Sequence, residues 1–344
     1  MNRMVGLVVV LGFLCCGDGL ETQGSLLLAS GAPQSAPQER PFSLRVDVDL
    51  VTINLTVLDE NGNKVTDLRR DDFTVYEDDV VQDIFDFQPV DAPFHLVLVL
   101  DTSNSTRTSL SLIRKAAVNF TGELRPVDRI AVAEINFFVR EVQDFTSDRR
   151  ALRRSIERLT TYPYGGSKVY DGVGQALAQL HKISSGRKAI VILSDGMENS
   201  SKTKFEELRY LLAQSDSVLY PITIQNKDRQ KDQLEHYIRT HSEEDPFMHN
   251  ARTSLSVLEE VYQIQTERLQ ILAEETGGKI YLVNDLSDLS GEYSKVAQEL
   301  RTTLGLAYYS KNNARDGRLR RIRVEVKNPK YQVRAKSTYF VPKE

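Results

Sequence analysis

The stretch FHLVLVL (94–100) is apolar at all but one position and is closed by Asp101. A second run, AIVIL (189–193), is followed by Ser194, Asp195 and Gly196. A strand with one wet face alternates polar and apolar residues, so an unbroken apolar run marks burial on both faces. Double burial calls for helices above and below the sheet, the situation of parallel strands. The surrounding segments supply them. Helical periods are expected over 109–125, 147–159 with Ser147 as cap, 169–183, 203–214, 256–275 and 288–303. Strands are expected over 129–145, 217–224, 279–283 and 304–310. Strands that alternate with helices predict an α/β fold with a doubly wound, mostly parallel sheet over residues 93–310.

Both flanks of that region read differently. In LRVDVDLVTINLTVL (44–58), Leu44, Val46, Val48 and Leu50 share one phase, and Val51, Ile53, Leu55 and Val57 the other. The slip at Leu50–Val51 predicts a bulge or a break between two strands. DENGN (59–63) is a turn signal, and 72–78 and 80–90 add short strands. After residue 310 the alternation returns at Ile322, Val324 and Val326, then at Tyr331, Val333 and Ala335. Either end alone has too few strands to stand by itself. Residues 42–92 and 311–344 are therefore expected to form one small all-β, sandwich-like domain, with the α/β domain inserted in it. Residues 225–254 are charged, with little apolar content, and read as a polar excursion with a short helix near 229–239.

The N-terminus has one early Arg, an apolar stretch from Met4 to Cys16, and small residues after it. Thirteen residues are too few to span a bilayer, which needs about 20, so 1–19 is expected to be an export signal. Residues 20–41, rich in Ser, Gly, Ala, Pro and Gln, read as a flexible tether. Cys15 and Cys16 are the only cysteines, and both lie in the signal. The mature chain is thus expected to use neither disulfides nor thiolate chemistry, although Cys16 is a candidate lipid anchor. An exported protein of the periplasm or the extracellular space follows. The 344 residues carry a net charge of −4, and no basic stripe suited to nucleic acid occurs.

In open α/β sheets, ligands gather outside the carboxyl ends of the strands. Asp101 and Asp195 fall there, with Ser103 and Ser105 on the first loop. Carboxylates with hydroxyls make an all-oxygen pocket, the chemistry of hard divalent cations such as Mg²⁺, Mn²⁺ or Ca²⁺. DTSNS (101–105) resembles the D-x-S-x-S motif of the von Willebrand factor type A domain, its metal-ion-dependent adhesion site. YGGSKVYDG (164–172) resembles that family's second metal loop, with Ser167 where threonine is usual. ILSDG (192–196) resembles its third. The resemblance covers about 93–310. The flanks, VTDLRRDDFTVYEDDVVQDIFDF and RRIRVEVKNPKYQVRAKSTYF, are similar to bacterial VWFA-related proteins of the acidobacterial type.

The resemblance implies a metal held by Asp101, Ser103, Ser105, Ser167 and Asp195. The three serines would coordinate directly, and the two aspartates would act through waters or hydrogen bonds. It further implies a partner protein that presents Asp or Glu to the metal, with no small-molecule substrate and no catalysis. Asp171 is expected to cap the helix that follows it. Two alternatives stand beside this adhesion or scaffold reading. One is a structural envelope protein whose metal site is vestigial, Ser167 being the symptom. The other is a metal-dependent hydrolase, which lacks a recognisable nucleophile with its base. His241 and His249 are too isolated to suggest zinc.

Overall fold

The computed structural model describes residues 50–162, 166–184, 186–225, 227–341 and 343. The expected signal, the tether, Cys16 and the strand-like residues 44–49 lie outside the described residues.

The chain opens with β1 (Leu50–Leu58), β2 (Phe73–Glu77), β3 (Val80–Gln82) and β4 (Ile84–Gln88). Asp78 and Asp79 turn β2 into β3, both with positive φ, the conformation that two-residue hairpin turns require. Then follow β5 (Phe94–Asp101), α1 (Leu110–Glu123), β6 (Arg129–Ile135), β7 (Val139–Thr146), α2 (Arg149–Glu157) and α3 (Val169–His181). Next come β8 (Arg187–Ser194), α4 (Phe205–Gln214), β9 (Ser217–Ile224), α5 (Lys227–Thr240), α6 (Met248–Glu275), β10 (Tyr281–Val283) and α7 (Leu289–Thr302). The chain returns to β structure with β11 (Leu304–Tyr309), β12 (Leu319–Val326), β13 (Gln332–Ala335) and β14 (Thr338–Phe340).

Among the described residues, the central sheet has the order β10-β9-β8-β5-β6-β7. All its pairs are parallel except that of the edge strand β7. Every residue of β8 and β9 is buried, as the unbroken apolar runs demand. On one face α1, α2 and α7 pack Ile113, Phe120, Ile156, Tyr293 and Val296 against Leu96, Leu98 and Leu100. On the other, α3, α4 and α6 pack Val173, Leu180, Leu212 and Leu272 against Val97, Val99 and Ile190. From β5 the chain builds outward to β6 and β7, then crosses back to β8 on the other side. The switch point therefore lies between β5 and β8, the strands that end near Asp101 and Asp195.

The ends of the chain form two further sheets, β13-β1-β11-β4 and β14-β12-β2-β3. Both sheets combine N-terminal with C-terminal strands, alternating in the first and meeting at the β12–β2 pair in the second, and they enclose one core of Ile53, Leu55, Val75, Leu306, Tyr308 and Ile322. The α/β domain is thus an insertion in a β domain built from both ends. Four local readings change. Residues 304–310 were expected in the central sheet, but β11 lies between β1 and β4. Residues 129–145 are a hairpin, β6 and β7, not one strand. The cap of α2 is Asp148, whose carboxylate accepts from the amides of Arg150 and Ala151, and not Ser147. The polar excursion is α5 with the first turns of α6. Among the described residues no helix is long and apolar enough to cross a membrane.

Candidate metal centre

Asp101 is the last residue of β5 and is fully buried. Its Oδ1 accepts from the amide of Ser103 at 2.9 Å. Its Oδ2 accepts from the Ser194 hydroxyl at 2.6 Å and the Ser167 hydroxyl at 2.8 Å. The Ser103 and Ser105 hydroxyls lie 3.0 Å apart. Ser103 precedes a 3₁₀ turn (Asn104–Ser109), yet its side chain makes no capping bond. Thr106 holds the loop instead, donating to the carbonyls of Asp101 and Ser103 at 3.1 and 2.9 Å.

Ser167 is 3% exposed and is placed by the neighbouring loop. Its amide donates to Asn199 Oδ1 at 2.9 Å, and the Asn199 amide returns a bond to the Ser167 carbonyl at 3.3 Å. A Cβ on Gly166 would stand 1.8 Å from Asn199 Oδ1, so any larger residue there must displace the side chain that holds the Ser167 amide. Tyr164 and Gly165, the start of that motif, lie outside the described residues. Asp195 is buried at the end of β8, with Oδ1 accepting from the Met197 amide at 3.2 Å. Gly196 follows with φ of +79°, a left-handed bend that ends the strand at the rim.

The structure therefore brings Asp101, Ser103, Ser105 and Ser167 into one bonded cluster, with Asp195 close enough for its charge to act on Asp101. Burial first, then the Asp195 charge, raises the Asp101 pKa, while bonds from Ser103 and Ser194 oppose the rise. Among the described residues no Lys or Arg forms an ion pair with Asp101. Two buried carboxylates beside a convergence of hydroxyls are a donor set that fits a hard divalent cation. Asp171 stands apart. Its carboxylate accepts from the Lys202 and Thr203 amides, so it ties the α4 entry loop to α3 and does not cap its own helix.

Three participants were not foreseen. Ser194 binds Asp101 directly, Asn199 positions Ser167, and Tyr262 of α6 is buried where the Asp195 charge adds to the rise in its phenol pKa. Only Ser194 had a visible signal, its place beside Asp195 at the end of a buried strand. Above the cluster opens a cavity of about 810 Å³. Met197 and the metal-loop serines line one side of it, and α5 and α6 the other.

The model of the von Willebrand factor type A domain family matches residues 96–198, which span all three loops. The chain carries a von Willebrand factor type A domain. No curated protein matches the chain. Solved structures resemble the chain at low identity, with TM-scores below 0.5. BatB from Bacteroides thetaiotaomicron is 13% identical, covering 60% of this chain and 99% of that one, with a TM-score of 0.42. A von Willebrand factor type A protein from Catenulispora acidiphila is 11% identical, covering 87% and 74%, with a TM-score of 0.46. Proximal thread matrix protein 1 from the mussel byssus, with a zinc-occupied MIDAS motif, is 15% identical, covering 64% and 48%, with a TM-score of 0.45. In the type A domain of this chain, the matched segment ends at Glu198. Helices α5 and α6, which face the metal loops, lie beyond it.

Proposed function

We propose that the type A domain is a metal-dependent protein-binding module of an exported protein. Ser103, Ser105 and Ser167 would hold Mg²⁺ directly. Asp101 and Asp195 would hold it through hydrogen bonds and water. Bound there, the cation would supply a Lewis-acidic position for an Asp or Glu of a partner protein, a charge-assisted contact. The observation that supports this most is the burial of Asp101 and Asp195 next to hydroxyls gathered around Asp101, which forms no ion pair with Lys or Arg among the described residues. The chain's own residues fix the hydroxyls. Asp101 orients Ser167, and the Asp101 and Ser103 carbonyls hold Thr106 beneath the first loop.

The test is thermal unfolding of EDTA-stripped protein with and without millimolar Mg²⁺ or Mn²⁺. Metal bound only by the folded state raises Tm, and Asp101→Ala removes the rise. No rise in the wild type would leave a vestigial site. A rise that survives in Asp101→Ala would place the metal elsewhere.

A further inference from the structure

The roof over the metal loops limits what can reach them. Helices α5 and α6 form a hairpin stapled at its turn. The Tyr237 hydroxyl donates to Asp245 at 2.9 Å, and its ring stacks on His241 with centroids 3.9 Å apart. Lys227 and Glu259 join the two helices by an ion pair of 2.7 Å. Gln265 of α6 donates to the Glu198 carbonyl at 3.1 Å, tying the hairpin to the loop after Asp195. The Glu198 carboxylate in turn accepts from the amides of Tyr170, Ser200 and Ser201. Roof and metal loops are one bonded assembly, so the cavity is a standing feature of the fold.

The chemistry of its walls is specific. Leu234 of α5 and Val257, Leu258 and Val261 of α6 give an apolar side, although Val257 is 40% exposed. Among the described residues that line the cavity, Arg107 is the one that carries a charge, and none is a carboxylate. Arg107 has no ion pair among the described residues, and the side-chain amides of Asn104 and Gln233 likewise have no bond there. A volume of about 810 Å³ lies in the range of pockets that enclose a small ligand, about 300–1,000 Å³. The face of a folded partner cannot enter such a space. A single extended strand can, and its exposed backbone N–H and C=O groups need the donors and acceptors that side-chain amides provide.

Building on the proposed metal reading, we infer that the cavity between the metal loops and the α5–α6 hairpin receives one extended peptide segment of a partner. That segment carries an Asp or Glu beside apolar residues. The carboxylate meets the metal rim and Arg107, and the apolar neighbours lie against Val257 and Leu258. The hairpin thus makes this domain a reader of linear acidic motifs.

The test is selection from a display library of random linear 12-residue peptides in Mg²⁺, with elution by EDTA, followed by affinity measurement on synthetic winners. The expected winners hold an acidic residue next to apolar ones. Their affinity falls roughly tenfold in Arg107→Ala, as the loss of one charged hydrogen bond requires. It falls at least as far in Val257→Trp, which fills the cavity. Each variant is first checked for its Mg²⁺-induced rise in Tm, so loss of the metal is told apart from loss of the cavity. If the rise is intact but no acidic linear peptide is enriched, the inference fails and the metal reading stands. Winners indifferent to Val257→Trp also overturn it. If the wild type shows no rise, the metal reading fails first.

Discussion

Replacing Asp101 by Asn separates the cost of the naked site from the benefit of the metal. In the metal-free protein two effects oppose each other. The neutral side chain ends the repulsion from Asp195 and the desolvation of a buried charge, both of which raise the Asp101 pKa. Against this, Asp101 accepts at both oxygens, from Ser103 on one and from Ser167 and Ser194 on the other. An amide must turn its NH₂ toward one of these donors, which forfeits an acceptor at about 1–3 kcal/mol. The net change without metal is therefore small, within about 2 kcal/mol. With metal, the wild type gains about 2.7 kcal/mol at a concentration 100-fold above Kd. Unfolding entropy of about 2.1 cal/mol/K per residue over about 300 residues turns that into a rise of about 4 °C. Asp101→Asn is expected to show a metal-free Tm within about 3 °C of wild type and no rise with Mg²⁺. Differential scanning calorimetry in EDTA and in excess Mg²⁺ reads both numbers. A full rise retained in the variant refutes the placement of the site. A metal-free loss well beyond about 3 kcal/mol refutes the balance drawn here between repulsion and hydrogen bonding.

Other residues make separate predictions. Lys336 is buried, and its ammonium donates to the Ala213 carbonyl at 2.7 Å; burial lowers its pKa from 10.5 to about 8. Below pH 8 the group is charged in both the folded and the unfolded state. Between 8 and 10.5 the unfolded chain holds more protons, so stability should rise with pH across that window, by up to about 3 kcal/mol. Urea titrations at pH 7.5 and 10 should show this rise in wild type and not in Lys336→Met. Gly196→Ala forces φ of +79° on a residue with a Cβ, which would lie 2.9 Å from Thr223 Cγ2. A loss of about 1–3 kcal/mol is expected, together with weaker Mg²⁺ binding, measured by unfolding with and without metal. Arg187 is 2% exposed and donates to the Val90 carbonyl at 2.7 Å, to Ala92 and to Thr303. Arg187→Met takes the guanidinium from the Thr303 carbonyl, while the Val90 and Ala92 carbonyls keep Arg125, and should cost about 1–3 kcal/mol in urea unfolding; no measurable loss would show that the Thr303 carbonyl finds another donor.

What the sequence made legible was what local pattern decides. Doubly buried strands such as 94–100 and 187–194 have few alternatives, and the residues that end them must stand at the sheet's rim. Asp101 and Asp195 were therefore visible before any coordinates. Ser167 came only with the resemblance to the type A domain, since nothing in its own neighbourhood marks it as an oxygen donor. Where distant segments compete, pattern ceases to decide. LGLAYY (304–309) is apolar enough for either sheet, and only its pairing with β1, Leu50 opposite Tyr309 through Leu55 opposite Leu304, settles which. Helix α5 is mostly polar because it covers a cavity and not a core, so its narrow apolar side marked a short helix near 229–239 but neither its full length, Lys227–Thr240, nor its place over the metal loops. Tyr262 falls within the helical period over 256–275, and nothing in such a period marks which buried residue lies within reach of a carboxylate's charge.

The same non-local logic explains why the β domain must take strands from both ends. Arg187 begins β8, inside the α/β domain, yet it binds the entering connector at Val90 and Ala92 and the leaving one at Thr303. Arg125 adds bonds to the carbonyls of Val90, Asp91 and Ala92 and to the Asp128 carboxylate, which also accepts from the Phe94 amide. With the two connectors pinned at one end of β8, β4 and β11 leave the α/β domain side by side and pair through Gln88 opposite Gly305. The rest of the β domain then has a template. β1 adds to β11, β13 adds to β1, and β2 finds β12 with Val75 opposite Val324. A β domain assembled this way cannot outlast the α/β core that positions its central strands, because its two halves share no continuous chain except through that core. Ligand energy captured at the far rim, between β5 and β8, therefore stabilises strands at both ends of the sequence.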